Sequence, residues 1–299
     1  MASIRSKICR MMAKLTIGSA LDNKKTIEEM RLGMEKATKL TFLPSKTNIE
    51  QVNYGDIAAE WVSGKNADEE HVVLFLHGGG YNTGSPSTHR ELASHISNTS
   101  NSKVLVPNYR LAPENPFPAA LEDATFSYQW LLEKGLSSKN ISIAGDSAGG
   151  GLALATCISI RDNGNPMPSS LVCISPWTDL EMTGSSIKAL EDIDPVLRVA
   201  SLQIMASNYI GVNDPLSPLL SPVHGEYTHF PPMLIHTGSD EILLDDSRRV
   251  AERAELAGVD ITLKIHDGMW HVFHVFYRLM PEAKTAVKEL GAFIRKHYK

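Results

Sequence analysis

The sequence predicts an α/β fold: a mostly parallel sheet flanked by helices on both faces. Three observations predict it. Short apolar runs alternate with amphipathic helical stretches along most of the chain. Several of those runs are continuously apolar, as in strands covered on both faces. One of them, Ile141 to Ala144, passes through a glycine-flanked serine directly into a helix start.

The elements follow in order. Residues 1 to about 40 read as helical. Ile4, Ile8, Met11, Met12 and Leu15 recur at helical spacing, and Lys25 to Lys39 forms a second amphipathic stretch. The first stretch is expected to pack its apolar face on the body of the protein. Its charges interrupt any secretory apolar core. Asn48 to Tyr54 and Ile57 to Val62 flank Gly55-Asp56 as a hairpin. Val72 to Leu76 is a buried strand, Arg90 to Asn98 a helix, Val104 to Val106 a strand and Ala119 to Glu133 a helix. The strand at Ile141, the helix after Ser147 and the strand Ser170 to Ser175 continue the series. Alternation then lapses between Asp179 and Gly211, where only 195–210 reads as a helix, so this stretch is an insertion. Pro231 to Thr237 resumes as a strand, and Asp246 to Ala257 is a helix stopped by Gly258. Ile261 to Ile265 is the last strand and Pro281 to His297 the last helix.

Bulk properties narrow the function. A chain of 299 residues buries a large core without staples. Its net charge of -5 gives no basic footprint for nucleic acid. Cys9, Cys157 and Cys173 form no paired motif and read as core residues, which fits a reducing, cytoplasmic setting. No stretch is long and apolar enough to be an integral membrane segment.

Four segments carry chemistry. In Gly145-Asp146-Ser147-Ala148-Gly149 the serine sits between a strand and a helix, on a sharp turn that projects its hydroxyl from the sheet. A serine hydroxyl becomes a nucleophile only when a base takes its proton. His77-Gly78-Gly79-Gly80 follows the strand ending at Leu76. Its bare N–H groups suit a developing oxyanion, with Gly78, Gly79 and Ala148 as the expected donors. Gly238-Ser239-Asp240-Glu241 follows the next-to-last strand and offers a carboxylate. Asp240 is the expected acid and Glu241 its serious rival, while Asp245 and Asp246 read as helix-capping residues. Gly268-Met269-Trp270-His271 follows the last strand and supplies the base, His271 being preferred to His274. The chain order Ser147, Asp240, His271 matches the α/β-hydrolase triad. Tyr81 and Trp270, beside these segments, are candidate substrate-binding residues.

The chain resembles the hormone-sensitive-lipase-like (family IV) carboxylesterases of the α/β-hydrolase superfamily, in the branch with a Gly-Asp-Ser-Ala-Gly motif. The matching text includes His77-Gly78-Gly79-Gly80, Tyr109 to Glu114, Phe117 to Ala120, Glu122-Asp123, Gly145 to Gly150, Ser175-Pro176-Trp177, Asp214 to Pro218, and Trp270 to Phe273. Members often read Asp-Pro-Leu-Arg-Asp at the acid. Here the text is Asp240-Glu241-Ile242-Leu243-Leu244, and the first Asp aligns.

The resemblance implies an eight-stranded α/β-hydrolase domain formed by residues 46–177 and 213–299. It also implies a helical cap from residues 1–45 and the inserted segment 178–212. It implies cis peptide bonds before Pro113 and Pro118. The implied activity is hydrolysis of short- to medium-chain acyl esters through an acyl-enzyme, with no metal or other cofactor and with dimerisation through the last strand. Amide hydrolysis or deacetylation by the same triad is an alternative. A non-catalytic small-molecule receptor on the same fold is another.

Overall fold

The computed structural model describes residues 3–38 and 43–299. The expected N-terminal segment 1–45 therefore includes residues 1–2 and 39–42, which lie outside the described residues.

In chain order the elements are α1 (Ile4–Ala13), a π-helical turn (Lys14–Gly18), α2 (Ile27–Thr38), β1 (Asn48–Tyr54), β2 (Ile57–Ser63), β3 (Asp68–Leu76), α3 (Pro86–Ser100), β4 (Ser102–Pro107), α4 (Ala119–Glu133), β5 (Ile141–Asp146), α5 (Ala148–Asp162), β6 (Ser170–Ile174), α6 (Ser186–Ala189), α7 (Val199–Ile210), β7 (Met233–Gly238), α8 (Leu244–Leu256), β8 (Ile261–His266) and α9 (Pro281–His297). The strands form one sheet in the order β1-β2-β4-β3-β5-β6-β7-β8. β1 and β2 form the antiparallel hairpin, β2 joins β4 antiparallel, and every later pairing is parallel. The short-range pattern explains the layers. In β3, Val72, Leu74 and Leu76 join the core that holds Leu121 and Ala124 of α4, Leu152 of α5 and Val250 of α8. Val73 and Phe75 face the opposite way, into the core with Ile96 of α3 and Leu290 of α9. Period-two alternation thus feeds both faces of one sheet.

Parallel strands end on the same side, so the loops after β3, β5, β6, β7 and β8 gather at one edge of the sheet. The peptide bonds Ala112-Pro113 and Phe117-Pro118 are both cis, as the resemblance implies. All three cysteines are free and buried. Among the described residues no helix is long and apolar enough to cross a membrane.

The N-terminal helix differs from expectation. α1 buries Ser6, Cys9 and Ala13, while Ile4, Ile8, Met11, Met12 and Leu15 are exposed. Periodicity identified the helix but not its inner face. Small side chains permit close approach, and two polar anchors fix the rotation. Ser3 N–H and Oγ donate to Glu282 of α9, and Arg10 donates to the Ile193 carbonyl and to Asp240. The N-terminal segment meets the insertion again where Ser201 Oγ donates to the Leu21 carbonyl at 2.7 Å.

Asp245 and Asp246 do not cap α8 as expected: they lie in its first turn, and no side chain caps the helix. Asp246 Oδ2 accepts from the N–H groups of Thr178 and Asp179 at 2.7 and 2.9 Å, and Asp245 Oδ2 accepts from Ser185 Oγ and Ser186 N–H. Together they tie the start of the insertion to the helix.

Candidate active site

Ser147 occupies the turn between β5 and α5 with φ 54° and ψ -123°, a left-handed-side conformation that is strained for a residue with a side chain. Its N–H donates to the Ile174 carbonyl of β6 at 2.8 Å, which holds the turn against the sheet. The flanking glycines are a matter of space. A Cβ on Gly145 would stand 2.2 Å from the Gly149 carbonyl oxygen, and one on Gly149 would stand 2.0 Å from that of Leu76. No other residue lets β3, β5 and α5 converge so tightly.

His271 Nε2 lies 2.9 Å from Ser147 Oγ. This contact, between residues far apart in sequence, is the pair predicted from the two loops. His271 sits beside Val272, whose φ of 50° strains a β-branched residue. Ser175 Oγ accepts from Val272 N–H at 3.1 Å and so fastens this loop to the end of β6. Sequence reasoning missed Ser175, since nothing local marks it as a partner of residue 272.

The acid differs from expectation. Glu241 Oε2 lies 3.3 Å from His271 Nδ1, and both atoms lack any other partner. The contact is bent away from a straight hydrogen bond, a common state of catalytic pairs without substrate. Glu241 is fully buried, and its Oε1 accepts from Thr237 Oγ1. Asp240 turns the other way. Its Oδ2 accepts from Arg10 Nη1 at 2.7 Å and its Oδ1 from Ser239 Oγ at 2.8 Å. The expected Asp240–His271 pair is thus replaced by Glu241–His271. Neighbouring residues on a turn project differently, and only the longer glutamate is aimed at the imidazole.

A further carboxylate, Asp194 of the insertion, was not legible in the sequence. It is buried, and its oxygens accept from the N–H groups of Val196, Leu197 and Ile242. Burial holds its own carboxyl above the ordinary value. Burial alone would push His271 down. Glu241, by hydrogen bonding and charge, with Asp194 and Asp146 through charge, outweighs it and raises the imidazole above its usual 6.5.

The glycine loop after β3 departs from expectation at one position. Gly78 N–H donates to Asp146 Oδ1 at 3.0 Å, so it is already committed. Among the described residues no acceptor takes the N–H groups of Gly79, Gly80 and Ala148. Ala148 is the first residue of α5, where the helix dipole favours negative charge. Gly79 has φ 122° and packs so closely that a Cβ would stand 2.2 Å from the Thr83 carbonyl oxygen. Behind the loop, His77 stacks on Tyr109 at 4.2 Å and its Nδ1 contacts the Gly78 carbonyl at 2.9 Å. Burial lowers its pKa to about 3, so it stays neutral and acts as a shaping group. Asp146 completes a buried pair with His89, 3.4 Å away.

Tyr81 and Trp270 lie close by, and each is almost fully buried. Tyr81 stacks on Tyr209 at 3.7 Å, and Trp270 meets Phe276 edge-on at 5.8 Å. Both fill space. His274, the rival base, points away from Ser147 toward His236.

Known proteins share this arrangement of elements. A family model described as alpha/beta hydrolase fold matches residues 73–275. An acetyl-hydrolase of Streptomyces hygroscopicus is 43% identical over 244 residues, covering 82% of this chain and 81% of its own. An esterase of Acinetobacter venetianus is 37% identical over 228 residues, covering 76% and 75%. Among solved structures, an esterase from the bacterial hormone-sensitive lipase family superposes with TM-score 0.96 at 37% identity over 100% of both chains. The esterase EstE5, in a crystal soaked with p-nitrophenyl butyrate, superposes with TM-score 0.94 at 40% identity over 99% of both. With its sheet order, its serine turn and these matches, the chain belongs to the α/β-hydrolase fold family and, within it, to the hormone-sensitive-lipase family of esterases.

Proposed function

We propose that the protein hydrolyses carboxylic esters of short to medium acyl chain through an acyl-enzyme, with Ser147 as nucleophile, His271 as base and Glu241 as orienting acid. The observation that carries this reading is the 2.9 Å contact between Ser147 Oγ and His271 Nε2. When the Ser147 hydroxyl donates across that contact, the Nδ1 proton faces Glu241, and this is the productive tautomer. The relatives named acetyl-hydrolase and esterase support the substrate class.

In the first half-reaction, Ser147 Oγ bonds to the acyl carbon while His271 Nε2 takes its proton. Glu241 stabilises the imidazolium so formed. The N–H groups of Gly79, Gly80 and Ala148 receive the oxyanion; Gly78 instead positions the loop through Asp146. His271 then gives the proton to the leaving alkoxide. Water, deprotonated by the same nitrogen, opens the acyl-enzyme and restores Ser147. No step calls on a metal or cofactor.

The N-terminal helices and the insertion around α6 and α7 act as a cap over this edge of the sheet. Edge strand β8 is the surface proposed for homodimerisation, and light scattering of the purified protein tests it.

The reaction itself is tested by mass spectrometry and kinetics. A phosphonate ester should add one phosphonyl group at Ser147, and Ser147→Ala should lose about a million-fold in kcat on a p-nitrophenyl ester. Full turnover by the Ser147→Ala protein would refute the mechanism.

A further inference from the structure

Beside the hydrolytic site lies a second cluster that the reaction does not use. His236 is in β7, His266 is the last residue of β8, and His274 follows in the short helical turn Phe273–Phe276. The parallel register pairs His236 with Lys264 and Gly238 with His266, so His236 and His266 share one face of the sheet. His274 folds back over them. His236 Nδ1 lies 3.3 Å from His274 Nε2 and 3.2 Å from His266 Nε2. The three ligand atoms all fall within 4.8 Å of one another. His236 and His274 are fully buried, and His266 is partly so.

Hydrogen bonding does not account for this arrangement. An imidazole nitrogen has one in-plane site, holding either a proton or a lone pair. His236 Nδ1 therefore makes a good hydrogen bond with only one of its two neighbours. The outward nitrogens, His236 Nε2 and His274 Nδ1, have no hydrogen-bond partner either. Three converging, poorly satisfied nitrogens in a buried position are costly unless something joins them.

A bound cation would. Two nitrogens bound to zinc at about 2.0–2.1 Å with tetrahedral angles stand about 3.4 Å apart, close to the two contacts of His236 Nδ1. The His266 and His274 nitrogens, within 4.8 Å of each other, would draw together on binding. Neutral imidazoles carry the lone pairs that a metal needs. A carboxylate stands nearby: Glu289 Oε2 lies 3.9 Å from His236 Nε2, beyond hydrogen-bond distance, while its Oε1 accepts from Lys264 at 2.6 Å.

We propose that His236 Nδ1, His266 Nε2 and His274 Nε2 bind a divalent transition-metal ion of the zinc class. Imidazole donors favour zinc, copper, nickel and cobalt over magnesium or calcium. Among the described residues no fourth His, Cys, Asp or Glu joins the group, so solvent on the His266 side completes the shell. The ion takes no part in ester cleavage. It pins β7, β8 and the loop that carries His271, and binding only to the folded chain stabilises it.

The test uses the full chain, stripped with a chelator and dialysed. Titration with Co2+ should give the visible bands of tetrahedral cobalt, saturating at one equivalent. One equivalent of Zn2+ should abolish them and raise Tm. His266→Ala should lose the bands, and so should His274→Asn if His266→Ala fails to fold. His229→Ala, at an exposed histidine, should keep them. Absence of a one-equivalent tetrahedral signal from the parent protein would overturn the proposal. So would its persistence in a folded His266→Ala or His274→Asn protein.

Discussion

Glu241 Oε2 stands 3.3 Å from His271 Nδ1, whereas Asp240, one residue earlier, is bound to Arg10. Two adjacent carboxylates thus have different work. Glu241 is buried against the base, and Asp240 ties the acid loop to the N-terminal helix. Each assignment has a measurable consequence.

The first concerns pH. The base works when neutral, and the buried carboxylates raise its pKa above the ordinary 6.5. Activity should therefore fall as pH drops through that raised value, with the acid limb of kcat/KM above pH 6.5. Glu241→Gln removes the main upward influence, so burial should dominate and the limb should move to lower pH. A limb unmoved by that change would contradict the assigned contact.

The second concerns the buried pair under the oxyanion loop. Within the pair, His89 is raised and Asp146 lowered, each chiefly by the other's charge acting against burial. Asp146's contribution is present above its unfolded pKa and is lost as pH falls through its depressed folded value. His89's is present below its unfolded pKa and is lost as pH rises through its raised value. Asp146→Asn should cost roughly 3 kcal/mol, the low end for breaking a buried pair because His89 can shed its proton. The stability difference from the parent should be largest between those two limits, as read by urea melts across pH.

The third concerns the tether. Arg10 and Asp240 are each 28% exposed, so their pair is worth no more than about 1 kcal/mol. Arg10→Ala should lower Tm by no more than about 2 °C. It should leave the acid limb of the rate profile in place, because Asp240 does not contact the base. A shift in that limb would show that Asp240 acts on His271 after all.

Much of this was legible in the sequence. Ser147 and His271 could be placed because strand, turn and helix patterns force each onto the same edge of the sheet. The choice between Asp240 and Glu241 could not. Both belong to one turn, and which of them faces the base depends on Arg10, a residue at the far end of the chain. That the Gly78 N–H would be taken by Asp146, at the end of β5, could not be read either, since the contact joins two strands far apart in sequence. The inner face of α1 was hidden for a related reason. Its small residues, rather than its large apolar ones, meet the body. The histidine cluster needed the β7–β8 register, which puts His236 and His266 on one face, and the turn that folds His274 back onto them, and no local motif links the three.

The most direct test of the account compares Glu241→Gln with Asp240→Asn on one p-nitrophenyl ester. Losing the acid that holds the productive tautomer should cost Glu241→Gln about ten-thousand-fold in kcat. Asp240→Asn should stay within a few-fold of the parent protein. The reverse ranking, with Asp240→Asn crippled and Glu241→Gln active, would contradict the account.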